Sequence, residues 1–119
     1  MIVIERWADD AEISRDAIMA TLTPGHYRVG QERRIPLADL VDGHLIGISR
    51  DAIIYVISGS ATFSVETGRG RSSATVTSGD VVTIPAGEYN YQHEGEDDFV
   101  SVWAWLLPAD FRGTSAAST

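Results

Sequence analysis

The stretch from Ile53 to His93 constrains this chain more than any other, because it can hardly be built from anything but β-strands. Ile53 to Ile57 is an unbroken run of β-branched and aromatic residues. Ser58-Gly59-Ser60 interrupts it, and Ala61, Phe63 and Val65 then alternate with Thr62, Ser64 and Glu66. A period of two buries one side of a strand and wets the other, so the segment predicts a β-hairpin turning at Gly59. Ser78-Gly79-Asp80 marks a further turn and Val81 to Ile84 a short buried strand. Pro85-Ala86-Gly87 is a third turn, with Pro suited to its first corner. Tyr89 to Gln92 resumes as strand.

The spacing of these turns resembles a known family. Gly79, five residues, Pro85, one residue, Gly87 is similar to the second conserved motif of the cupins, G-x5-P-x-G-x2-H-x3-N. Tyr55-Val-Ile-Ser-Gly59 resembles the end of their first motif, and the match covers the central third of the chain. The resemblance implies an all-β fold, a cupin-type antiparallel β-barrel of the jelly-roll-like double-stranded β-helix kind. Such barrels are commonly homodimeric, and many hold a metal on three His and one Glu. Carried over position by position, the second motif's His falls on Asn90 and its Asn on Glu94. The Glu ligand falls on Ala52, and the two remaining His ligands on Ile46 and Ile48, or on Leu45 and Gly47 with the longer spacing. No ligand position keeps a ligand, and an amide oxygen at Asn90 is a poor substitute for imidazole. The expectation is a barrel without the usual metal and without a cofactor.

Composition narrows the chemistry further. At 119 residues the chain suits one domain over residues 1–111, followed by a tail at 112–119 that lacks apolar bulk and should fray. Seventeen acidic against nine basic residues give a formal net charge of -8, which disfavours nucleic acid and anionic membrane surfaces as partners. There is no Cys, which excludes thiolate nucleophiles, disulfides and cysteine metal sites. There is no Lys either, which excludes lysine Schiff-base chemistry. The amino-terminal MIVIERWADD turns acidic after a few apolar residues, unlike a signal peptide or a membrane span, so a cytoplasmic location is expected.

Along the rest of the chain, Ile2 to Trp7 reads as an outer strand. Ala8 to Asp16 is charged, with Asp9 or Asp10 able to cap a short helical turn. Ala17 to Leu22 fits either an extension of that helix or a strand, and the all-β context favours strand. His26 to Val29 reads as another strand. Arg33, Arg34, Pro36 and Asp39 mark an irregular segment leading to Val41, and the arginine pair reads as a solvated face or as partners for the excess carboxylates, with anion binding as the lesser alternative. His44 to Ser49 alternates, with His44, Ile46 and Ile48 on one side and Leu45, Gly47 and Ser49 on the other; the shorter cupin spacing turns the first set inward. Gly68 to Ser73 is an exposed hairpin loop, and Glu94 to Asp98 a solvated turn. Phe99 to Leu107 is a last strand, apolar on both sides, that fits burial on both faces or a dimer contact.

Imidazole, carboxylate, phenol and amide remain as tools, beside aromatic walls. His44 is the expected acid or base, with Asn90 and Gln92 on the side of the missing ligand to orient a carbonyl or oxyanion. Ile46, Ile48, Ile54, Phe63, Trp103 and Trp105 are the expected substrate-binding wall. Tyr89, Tyr91 and His93 become the inward set only if the register shifts by one after Gly87. The favoured function is a metal-independent isomerase, cyclase or dehydratase acting on a small biosynthetic intermediate such as a polyketide or modified sugar. The alternatives are a non-catalytic small-molecule binding or sensing barrel, and a metal cupin with displaced ligands such as His44, His93 and Glu94. Parity counts against the last, since His93 and Glu94 point to opposite sides of a regular strand.

Overall fold

The computed structural model of the chain describes residues 2–8, 12–36, 45–94 and 97–108. The strands are β1 (Val3–Arg6), β2 (Tyr27–Val29), β3 (Arg33–Ile35), β4 (Leu45–Ser49), β5 (Ala52–Ser58), β6 (Ser60–Thr67), β7 (Gly70–Thr77), β8 (Asp80–Ile84), β9 (Gly87–Glu94) and β10 (Phe99–Leu106), with helix α1 (Arg15–Thr21) between β1 and β2. They form two antiparallel sheets. One runs β1-β8-β5-β10-β2, with β3 also on β10; the other runs β4-β9-β6-β7.

The expected hairpin at Gly59 is not one. β5 and β6 belong to different sheets, and Gly59 is the corner by which the chain crosses from one to the other. Its φ of +84° is open to glycine at little cost, and a Cβ there would run into the backbone of Asp98 and Phe99. Alternation along β6 correctly gave its dry side, but a tight turn between two strands does not say whether they pair. β6 instead forms its hairpin with β7, in register from Ser60↔Thr77 to Thr67↔Gly70, around the Gly68-Arg69 turn. Three hydroxyl pairs, Ser60–Thr77, Thr62–Thr75 and Ser64–Ser73, line the wet side of this ladder at 2.8–3.2 Å.

Two apolar layers result. Between the sheets lie Ile54, Val56, Val82, Phe99 and Trp103 from one and Ala61, Phe63, Val65 and Val76 from the other. On the outer side of the first sheet, Tyr55, Val102 and Ala104 pack under Ile18 of α1, with Ile13 and Leu22 around it. β10 is therefore covered on both sides, as its two apolar faces require.

Residues 15–21 are helix where strand was favoured. Ser14 caps the helix by accepting from the Ala17 N–H at 3.1 Å, Asp16 lies in its first turn, and Ile18 and Leu22 present one apolar stripe. The stripe needed only the back of a sheet, not a strand partner. Asp9, Asp10 and the tail from 109 onward lie outside the described residues.

Candidate functional site

The site grows out of a mismatch in length. Residues 27–35 run along β10, pairing at both ends, Tyr27↔Leu106 to Val29↔Ala104 and Arg33↔Ser101 to Ile35↔Phe99. Between them residues 30–32 leave the ladder. A cleft of about 650 Å³ opens there, lined by the half-buried Trp105 and an edge of the buried Trp103. Gly30 holds its near edge, donating its N–H to the Trp103 carbonyl at 2.9 Å and lying so close to Trp105 that a Cβ would sit 3.3 Å from the ring. Arg15 of α1 fixes the departing backbone: Nε donates to the Gly30 carbonyl at 2.8 Å and Nη2 to that of Val29 at 3.2 Å. The helix thus positions one wall of the cleft through two charge-assisted hydrogen bonds.

The opposite wall is aromatic. Tyr89, Trp103 and Trp105 line the cleft. Trp103 lies 5.9 Å from Trp105 with the rings near parallel and 5.0 Å from Tyr89, and Phe63 stacks behind Tyr89 at 5.6 Å. Such separations are those of favourable aromatic pairs. Tyr89 fits because Gly47 lies beneath it; any side chain at 47 would occupy the space of its ring. The rim is charged, with Glu32, Arg33, Arg34 and Arg50. Arg34 also pairs with Asp98 at 3.0 Å.

The register of β9 corrects two of the sequence expectations. Ser64↔Asn90 and Thr62↔Gln92 place both amides on the hydroxyl side of the sheet, whereas Val65↔Tyr89 places Tyr89 with the core residues. Gln92 is exposed, and Asn90 Oδ1 is buried without a partner among the described residues. Asn90 and Gln92 therefore do not face the space between the sheets. The physical reason is that β9 must follow β6, whose Phe63 and Val65 fix the dry side, and Gly87 starts β9 tight against the Glu66 carbonyl. The same ladder reverses β4: Gly47↔Tyr89 and Ile48↔Glu88 put Ile48 on the wet side, 85% exposed. Ile48 reaches the cleft only at its rim. Ile46 pairs with Asn90, its side chain lying outside the described set. Ile54 and Phe63 are core, 2% and 1% exposed. Trp103 and Trp105 do line the cleft. His44 lies outside the described residues.

The sequence reading does not single out Gly30 to Glu32 as wall residues and turns Tyr89 inward only under a register shift; of its two main readings for Arg33-Arg34, the carboxylate partner holds for Arg34, which pairs with Asp98. The signal available was a glycine between two short strands, set against a long strand with two tryptophans on one side.

No protein-family model and no curated protein sequence matches the chain. Solved structures do. Acireductone dioxygenase from Bacillus anthracis, with a cadmium ion in its active centre, superposes at a TM-score of 0.56 over 89% of this chain and 78% of its own, at 14% identity. A protein from Neisseria meningitidis superposes at 0.52 over 80% of this chain and 98% of its own, at 11% identity. The chain has the cupin fold. A cupin domain from Bordetella pertussis is also similar, at 0.47 and 19% identity over 90% of this chain.

The cupin metal site can then be tested on the donors present. Ala52 is a buried core methyl, Gly47 has no side chain, Ile48 is an exposed hydrocarbon, and Asn90 sits on the wet side of the sheet. Among the described residues, no three of His, Asp and Glu come together. Whichever spacing is used, these residues do not fit a metal ion at the cupin position. No helix among the described residues is long and apolar enough to cross a membrane.

Proposed function

We propose that the chain is a small-molecule-binding cupin barrel whose ligand is a planar, largely apolar molecule seated in the cleft beside Trp103. The observation that carries the reading is the wall of Tyr89, Trp103 and Trp105 in a cleft of about 650 Å³. That volume lies in the range of ligand pockets of drug-like size, and rigid aromatic side chains bind flat molecules with little loss of their own freedom. The dioxygenase activity of the Bacillus neighbour is not carried over, since the ligand positions hold no ligands.

Titration calorimetry with the neutral planar probe 1-naphthamide tests the reading. Saturable one-to-one binding that disappears in Trp105→Ala, with the variant's circular dichroism unchanged, is expected. Absence of saturable binding up to the solubility limit refutes it.

A second reading, acid-base conversion of the bound molecule as in an isomerase, cyclase or dehydratase, is favoured by Glu32 and Tyr89 sharing the same cleft. A carboxylate and a phenol on one cleft offer a proton acceptor and a proton donor. Under this reading Glu32→Gln abolishes conversion of the natural substrate while changing its affinity by no more than about twofold.

A further inference from the structure

We infer that the cleft selects a planar ligand bearing a single anionic group, an aromatic or conjugated carboxylate; the inference rests on the cleft being a binding site. Three of the nine cationic side chains of a chain with net charge -8 gather at its rim, Arg33, Arg34 and Arg50, against Glu32 at the rim and Asp98, which pairs with Arg34. Chance would bring acids there more often than bases. Low-dielectric aromatic walls beside them focus the field toward the opening. Glu32 limits the effect, so the rim suits one negative charge better than a polyphosphate.

The polar groups that the rim offers point to the same class. Arg33 and Arg50 are exposed there, and a guanidinium only donates. A ligand that brings acceptor oxygens complements them, and a carboxylate brings two. Arginine matches that group with two parallel N–H donors, which a neutral amide cannot exploit as fully.

The test compares 1-naphthoate with 1-naphthamide, which share a ring system and differ in charge, by titration calorimetry at low and high salt. The acid is expected to bind roughly tenfold more tightly than the amide at low salt, an advantage that shrinks as salt rises. The double variant Arg33→Gln/Arg50→Gln should bring the two affinities within about twofold of each other. Equal affinity for both probes, with both lost in Trp105→Ala, overturns the anionic class and leaves the cleft as a binding site. A preference for the acid that survives in the double variant overturns the assignment to these arginines. Binding of neither probe overturns this inference together with the reading on which it rests.

Discussion

Arg15 offers the sharpest test of how α1 supports the cleft. Replacing it by Met keeps the aliphatic stem and removes the guanidinium, so the carbonyls of Gly30 and Val29 lose donors at 2.8 and 3.2 Å. A hydrogen bond from a charged donor contributes about 1.5–3 kcal/mol when shielded. These two are partly exposed, and water replaces part of what is lost, so the pair together is worth about 2 kcal/mol. With an unfolding entropy of about 2.1 cal/mol/K per residue, 119 residues give roughly 250 cal/mol/K. The midpoint of thermal unfolding should then fall by about 8 °C. Circular dichroism melting measures the shift, and calorimetry with 1-naphthamide should show weaker binding, because the loop that walls the cleft is no longer held. An Arg15→Met protein with an unchanged midpoint and unchanged probe affinity would refute the reasoning.

Other outcomes follow from single positions. Gly59→Ala forces a side chain into the left-handed region and against the Asp98 carbonyl and the Phe99 backbone, so a loss of about 2–4 kcal/mol in urea unfolding is expected. Gly47→Ala displaces the Tyr89 ring; since the ring's outer end can swing into the cleft, probe affinity should drop about tenfold or more with a stability change of only about 1 kcal/mol. Tyr55 titrates above its ordinary 10.0, chiefly because burial under α1 penalises the phenolate, with Tyr27 adding to the rise and a hydrogen bond with Thr21 opposing it. Its folded-state pKa exceeds the unfolded one, so its contribution is intact below about pH 10 and is lost as pH climbs through the folded value. Tyr55→Phe should flatten that alkaline limb of the stability curve. Asp80→Asn weakens the contact with Arg6 at 2.7 Å and the bond accepted from the Thr77 N–H at 2.8 Å, both received by the same nearly buried carboxylate; a loss of about 1–3 kcal/mol in chemical unfolding is expected.

Much of the architecture could be read before any coordinates. The alternation of Ala61, Phe63 and Val65 gave the dry side of β6, the two apolar sides of Phe99 to Leu107 gave a strand covered on both faces, and the Gly79, Pro85 and Gly87 spacing gave the fold. The candidate site was less legible. Trp103 and Trp105 were identified, whereas Asn90 and Gln92 were assigned to the wrong side, because a strand's parity is known from its own sequence but its facing is known only from its neighbour.

From the sequence alone come most of the long strands, since β-branched runs and period-two alternation are local properties, and the chemistry that is absent, since no Cys or Lys occurs in it; the helix at 15–21 and the strand at 33–35 do not. Tertiary structure alone decided that β5 and β6 part at Gly59 into separate sheets, that residues 15–21 become a helix on the back of one of them, and that Gly30 to Glu32 leave the ladder beside Trp103. These outcomes depend on residues far apart in the chain meeting in one place. Arg15 meets Gly30, Tyr89 covers Gly47, and β9 takes its facing from β6. Local propensity cannot express such contacts, because their free energy exists only once both partners are in position.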